Sequence, residues 1–128
     1  MAEEEGGEVV RGAIEGADRV ATSTVSYAEA RAALARKERE GDLDEEGHRR
    51  AVEALDEEWR RYDRLAVSDL VAHRAGGMAE RYALRGFDAI HLASAARLRE
   101  RFDDLRFMAF DRRLTDAARR ILPVYEER

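Results

Sequence analysis

The chain has 128 residues, with 45% hydrophobic and 40% charged residues, no cysteine and a formal net charge of −5. This length allows one domain with a single core, and the lack of cysteine excludes disulfides, thiolate metal sites and a cysteine nucleophile. The negative net charge argues against a protein that coats nucleic acids in general. The sequence contains no signal peptide and no apolar run of the roughly 18 residues that a membrane helix needs. We therefore expect a cytoplasmic protein with no membrane contact.

The N-terminal part predicts two helices separated by a strand. Apolar residues in Val9–Ile14 recur at helical spacing, and Val20–Thr22 has the composition of a strand end. A long helix follows, which begins at Ser23 or Ser26 and ends near Glu40. Its early turns contain Glu29, which fits a capping box with Ser26 three residues before it.

A helix hairpin is predicted at about residues 26–62. Gly41–Asp44 has the composition of a loop, and the helix after it, about Glu45–Tyr62, carries an apolar stripe at spacings of three and four residues. We favour packing of this stripe on the core of the domain. The alternative is a partner surface anchored by Trp59 and Tyr62, for a second copy or for another protein.

The second half of the sequence alternates short apolar runs with helical patterns. Ser68 is a predicted N-cap, and the nearly all-apolar run Arg85–Ala96 is typical of a buried helix. The remaining predicted elements are strand Leu65–Val67, helix Asp69–Tyr82, strand Phe107–Phe110, helix Arg112–Ile121 and edge strand Pro123–Tyr125. This alternation predicts an α/β fold with a parallel sheet of short strands.

Three acids stand at or near predicted helix starts. Asp88 lies at the mouth of the buried helix, Asp111 at a strand-to-helix corner, and Glu29 in the first turns of the long helix. Each acid taken alone is explained by helix capping. In an open α/β sheet, however, the carboxyl ends of the strands line one crevice, and acids at those ends converge there.

Three motifs, in order, resemble those of PIN-domain ribonucleases, and most closely the VapC-type toxins of bacterial toxin–antitoxin pairs. They are S-x-x-S-Y-A-E-A-R-A-A-L at Ser23–Leu34, L-R-G-F-D-A-I-H-L-A-S-A at Leu84–Ala95, and F-D-R-R-L-T-D-A-A at Phe110–Ala118. The resemblance extends from about Glu5 to Val124. It implies a single PIN-like domain over residues 1–128, with a three-layer fold in which helices flank a short parallel sheet.

The resemblance also implies an activity, a cofactor and partners. PIN-domain toxins are metal-dependent endoribonucleases that an antitoxin protein restrains. Motif matching assigns Asp88 and Asp111 to the principal Mg²⁺ or Mn²⁺ ion, and Glu29 to a metal-bound water or a second ion. Carboxylates suit these ions because both take oxygen ligands.

The family pattern has a fourth acid at the end of a first, central strand, and here only Met1 and Ala2 precede the acidic stretch Glu3–Gly7. We therefore expect an N-terminally short domain that lacks this strand and self-associates into a homo-oligomer to cover the exposed strand edges. Ala109 also departs from the pattern, which often has a hydroxyl residue at that position. The alternative functions are a PIN-like binding or assembly domain that no longer cuts RNA, and an unrelated helical interaction protein whose acids are only caps.

Other polar residues near the motifs are weaker candidates. Asp116 lies roughly 140° around the helix from Asp111, which points it away from the same site. His91 follows Asp88 by three residues, although a structural histidine is the favoured interpretation. Arg85 and Arg112 flank the acids, and each is equally consistent with RNA phosphate contact or with a solvent-facing charge.

Overall fold

The computed structural model describes residues 16–109 and 111–126, so the helix predicted at Val9–Ile14 lies outside the described residues. The chain divides into two compact units: Val20–Ala66, and Val67–Arg128 together with the residues before Val20. The elements of the described chain are β1 (Ala21–Ser23), α1 (Val25–Arg39), α2 (Glu45–Trp59), β2 (Asp63–Leu65), α3 (Asp69–Tyr82), α4 (Gly86–Arg99) and α5 (Arg112–Arg119).

The unit Val20–Ala66 contains a parallel pair of strands joined by a helix hairpin. Strands β1 and β2 pair in register, with Ala21 opposite Asp63 and Ser23 opposite Leu65. Strand β2 therefore begins two residues earlier than predicted. The difference arises because Val67, predicted to end this strand, belongs instead to the second unit, where it packs against the apolar core. The predicted α/β class with parallel strand pairing is confirmed.

Helices α1 and α2 form the predicted antiparallel hairpin. Near its open end, the ring centroids of Tyr27 and Trp59 are 5.2 Å apart, and the Tyr27 hydroxyl donates a hydrogen bond to Asp56. At the other end, His48 Nδ1 lies 3.2 Å from Glu38 Oε1. No residue of either helix is fully buried, although the α2 stripe is partly covered. The partner-surface alternative for this stripe stays a prediction.

The capping box predicted for Ser26 and Glu29 is wrong. Helix α1 begins one residue before Ser26, and Thr24 occupies the N-cap position without a side-chain cap hydrogen bond. Ser26 is therefore already helical, and its hydroxyl donates instead to the backbone oxygen of Ser23 at 2.7 Å. The capping explanation for Glu29 is removed by this arrangement.

The second unit is organised by the antiparallel pair α3 and α4. Ser68 caps α3 as predicted, because its Oγ accepts the Val71 N–H at 3.2 Å. The connection starts at Ala83, which ends α3 in the left-handed region with φ 53°. At the opposite end of the pair, Arg74 Nη1 lies 2.8 Å from Glu100 Oε1. The two helices pack against each other, and residues of both, such as Val71 and Leu92, belong to one apolar core.

Residues from α3, α4, α5 and the C-terminal segment form one apolar core. Its buried members are Val71, Ala75, Leu84, Ala89, Leu92, Ala93, Phe107, Leu114, Ala117, Ala118 and Leu122. Phe107 and Val124 form an isolated parallel bridge, in which the Phe107 N–H donates to Pro123 O at 2.8 Å. The strand predicted at Phe107–Phe110 is thus reduced to this bridge in the described residues. None of the described helices combines the length and apolar character needed to cross a membrane.

Candidate functional site

Asp88 lies in the first turn of α4 and is half-buried. The helix begins at Gly86, and Arg85 occupies the N-cap with extended backbone angles of φ −68° and ψ 155°. Asp88 is therefore not the N-cap, and the interpretation of this acid as a simple cap is wrong. The helix itself is anchored, because Ala89, Leu92 and other residues on one of its faces are buried.

Asp111 is the N-cap of α5. Its Oδ1 accepts the Leu114 N–H at 2.9 Å, and its backbone oxygen accepts the Thr115 hydroxyl at 2.9 Å. The prediction that Asp111 stands at a helix start is confirmed, and so is a structural role for it. The cap uses Oδ1, which leaves Oδ2 outside this hydrogen bond. The residue is exposed, so a metal ion could reach this oxygen from solvent.

A side-chain hydrogen bond ties the start of α5 to the connection that precedes α4. Arg113 Nη1 donates to the backbone oxygen of Ala83, with 3.3 Å between the two atoms. Buried Leu114 of α5 joins the same core as Ala89 of α4. The starts of α4 and α5, each with its aspartate, therefore lie at the same end of this unit.

Glu29 belongs to the other unit, on α1, where it is half-buried. Neither unit, in its described part, contains three His, Cys, Asp or Glu side chains close enough together to hold a metal ion. The donor set of Asp88 and Asp111 nevertheless has the right chemistry for Mg²⁺ or Mn²⁺. These ions accept carboxylate oxygens, and Mg²⁺ keeps several of its water ligands, so it is often bound by one or two protein carboxylates.

Phe87, next to Asp88, is 58% exposed. The sequence analysis placed it in the apolar surface of a buried helix, and that prediction is wrong. The reason is helical geometry: at 100° per residue, Phe87 lies about 200° from Ala89 and about 140° from the direction of Leu92. Because both of those residues are fully buried, Phe87 is directed away from the core.

The weaker candidates are also on the surface. Asp116 is exposed and forms an ion pair with Arg119, whose Nη1 lies 3.3 Å from its Oδ1. Arg85 and Arg112 are both exposed, and His91 is half-buried. The exposed positions of the two arginines are compatible with either function predicted for them.

An open depression of about 390 Å³ follows the surface of α3. Its lining consists of Arg74, Gly77, Met78, Arg81 and Tyr82. None of the three predicted metal-binding acids belongs to this lining. The candidate site therefore stays at the starts of α4 and α5, because the depression contains none of the predicted ligands.

Comparison with known proteins decides the family. The sequence profile described as "PIN domain" matches residues 1–122, nearly the whole chain. The chain belongs to the PIN domain family. Two curated relatives are Ribonuclease VapC45 of Mycobacterium tuberculosis (strain CDC 1551 / Oshkosh) and Ribonuclease VapC49 of Mycobacterium tuberculosis (strain ATCC 25618 / H37Rv). Each is 38% identical over 81 residues, which cover 63% of this chain and 56% of the relative.

The PIN-domain match confirms the resemblance inferred from the three sequence motifs, and with it the predicted fold class. The aligned part of the chain spans just over half the length of the two curated relatives. Within this PIN domain, Asp88 and Asp111 occupy the starts of two packed helices, and Glu29 lies on the first helix of the hairpin unit.

Proposed function

We propose that this PIN domain is a metal-dependent endoribonuclease and the toxin of a type II toxin–antitoxin pair. The observation that supports this proposal best is that α4 and α5 begin at the same end of one unit, each with an aspartate in or just before its first turn. The two curated relatives are both named as ribonucleases of the VapC type, which supports the same activity.

In this proposal Asp88 and Asp111 hold Mg²⁺ or Mn²⁺. The ion, when bound, supplies a water of lowered pKa and neutralises negative charge on the leaving oxygen. Glu29 orients that water or helps to hold a second ion, an assignment that rests on its motif match alone. A bound ion would also relieve the repulsion between the Asp88 and Asp111 carboxylates.

The chain's own residues also bind and orient the RNA. Arg85, three residues before Asp88, and Arg112, directly after Asp111, are both exposed and are suited to bind phosphates on either side of the scissile bond. Cleavage is a hydrolysis: the water oxygen forms a bond to phosphorus, and the bond from phosphorus to one ribose oxygen breaks. That ribose oxygen takes up a proton, so no oxidant or reductant is involved.

A cleavage assay with matched variants tests the proposal. A labelled mixture of RNAs is incubated with Mn²⁺ and the wild-type chain, with Asp88→Asn, or with wild type and a chelator. We expect cleavage by wild type and a loss of about 100-fold or more in both other samples. Asp116→Asn is the control, because it removes an exposed acid of α5 whose partner is Arg119, and it should cleave as wild type does.

The alternative is a PIN domain that has lost its nuclease activity and works as a binding or assembly module. The observation that favours it is the lack of a three-ligand metal cluster within the described part of either unit. Folded protein that binds RNA or an antitoxin and leaves RNA intact, with Mn²⁺ present, would support this second function.

Partner binding belongs to both functions. We propose an antitoxin protein that covers the acidic site, and self-association of the chain into a homo-oligomer. Sedimentation over a wide concentration range tests the second point, and a monomer at every concentration would contradict it.

A further inference from the structure

We propose that the ring of Phe87 is a stacking platform that binds a base of single-stranded RNA beside Asp88 and Asp111. The inference deepens the proposed function and rests on it for the identity of the ligand. Phe87 is 58% exposed, which is the highest value among the exposed large hydrophobic residues of the described chain. A phenylalanine in this setting offers a free aromatic face directly next to the candidate metal ligands.

The backbone that carries the ring is firmly held. Phe87 is the second residue of α4, whose face formed by Ala89, Leu92 and Ala93 has no solvent exposure. Phe87 and Asp88 are neighbours separated by about 100° around the helix and about 1.5 Å along it. Ring and carboxylate therefore emerge from the same helical turn, on a part of the unit that the core fixes in place.

The surroundings of the ring favour a nucleic acid over a protein. Arg85 lies two residues before Phe87 and is exposed, and Arg113 reaches the nearby Ala83 carbonyl. Arginines bind phosphates, and an aromatic ring stacks on any base, so cations beside an open ring form a typical single-strand binding surface.

A protein interface would be expected to extend the apolar surface around Phe87. The other exposed large hydrophobic residues lie elsewhere: Leu70 starts α3, Phe102 follows the end of α4, and Ile121 follows the end of α5. Because α3 and α4 are antiparallel, Leu70 and Phe102 belong to the end of the pair opposite Phe87. Among the described residues, Leu70 and Phe102 therefore add no apolar surface around Phe87.

Binding measurements without cleavage test the inference separately from the nuclease activity. Fluorescence anisotropy of a labelled single-stranded RNA oligonucleotide, in chelator, gives Kd for wild type, Phe87→Ala, Phe87→Leu and Phe87→Trp. Loss of one stacked base should weaken binding by about 5- to 150-fold in the alanine and leucine variants, whereas tryptophan should keep it. Phe102→Ala is the matched control at the far end of α4 and should bind as wild type does.

Kinetics give a second readout that a merely structural residue would not produce. We expect Phe87→Ala to raise KM by a similar factor and to leave kcat close to wild type, because stacking holds the RNA and takes no part in the reaction. Thermal melting should be unchanged, since the exposed ring contributes little to the core.

Three results would overturn the inference. The first is that Phe87→Ala binds RNA as tightly as the wild-type protein does, or that the wild-type protein does not bind RNA at all. The second is full rescue by leucine, which would identify a general apolar contact. The third is a changed sedimentation coefficient in Phe87→Ala with unchanged RNA affinity, which would identify a contact between protein chains. If wild type fails to cleave RNA but its binding depends on the aromatic ring, the proposed nuclease fails and the stacking platform stands.

Discussion

Arg113 of α5 donates a hydrogen bond to the backbone carbonyl of Ala83, across 3.3 Å from Nη1 to O. Ala83 ends α3 in the left-handed region, so its carbonyl is displaced from the helical direction and is available to a side chain. Through this bond Arg113, the fourth residue of the motif Phe110–Ala118, reaches the stretch that leads into the motif Leu84–Ala95. The hydrogen bond thereby joins two sequence motifs at one end of the unit, although their aspartates, Asp88 and Asp111, are 23 residues apart in the sequence.

The two roles assigned to Asp111 can be separated by substitution. Asp111→Ala removes both the cap and the charge, and we expect the free energy of unfolding to fall by about 1 kcal/mol. Asp111→Asn keeps a side-chain oxygen that caps α5 nearly as well, so stability should stay close to wild type while the rise in Tm on adding Mn²⁺ is lost.

Urea unfolding and thermal melting with and without Mn²⁺ measure these effects. Asp116→Ala serves as the control on the same helix, because its exposed ion pair should contribute little. An Asp111→Asn variant that melts as wild type does at every Mn²⁺ concentration would show that this carboxylate only caps the helix.

Ser94 is 3% exposed, and its hydroxyl oxygen has no hydrogen-bond partner among the described residues. A buried hydroxyl that loses its water contacts without gaining a partner destabilises a protein by about 1–3 kcal/mol. Ser94→Ala removes this oxygen without adding volume, and alanine is also the better helix former. We expect the variant to unfold at higher urea concentration. A drop in stability would mean that the hydroxyl has a bonding role in α4.

Two glycines should respond to alanine with opposite signs. Gly76 is in the middle of α3, exposed, with open space around the position of an added methyl group. Gly76→Ala should therefore stabilise the protein by about 0.5–1 kcal/mol. Gly41 has φ +86° in the hairpin loop, where an alanine is strained. Gly41→Ala should lower the midpoint of urea unfolding, and a rise in both variants would contradict the backbone geometry.

Much of the fold follows from the sequence because its signals are local. The helix predicted at Asp69–Tyr82 agrees with α3 to the residue, and its start was predictable because Ser68 supplies an N-cap side chain. Strand β2 was misplaced by two residues, because the register of a three-residue strand is set by its pairing partner and not by its own composition.

The candidate site was predictable only in part. Motif similarity selects Asp88 and Asp111 as metal ligands, which stays a prediction, whereas the predicted position of Asp111 at a helix start is confirmed. The sequence analysis missed the exposure of Phe87. Its angular position, on the opposite side of α4 from Ala89 and Leu92, could have predicted that exposure. The bond from Arg113 to Ala83 could not be foreseen, because a long side chain that reaches a backbone carbonyl leaves no pattern in the sequence.

The pKa of Tyr62 gives a pH-dependent prediction for the hairpin unit. Burial, and then the nearby charge of Glu58, raise the pKa of Tyr62 above its ordinary value of 10.0, and the hydroxyl donates to Glu58 Oε2 at 3.2 Å. The unfolded chain releases this proton first, so the contribution to stability is complete below about pH 10 and is lost as pH rises through the folded pKa. Tyr62→Phe should flatten this decline in urea unfolding series. An unchanged pH dependence would contradict the assignment.

The most direct test of the account is Mn²⁺ binding to the purified chain by calorimetry or electron paramagnetic resonance. We compare wild type with Asp88→Asn, Asp111→Asn and the control Asp116→Asn. The account predicts that each of the first two variants weakens Mn²⁺ binding by about 10-fold or more, whereas the control binds as wild type does. Equal Mn²⁺ affinity in all four proteins would contradict a metal site formed by Asp88 and Asp111.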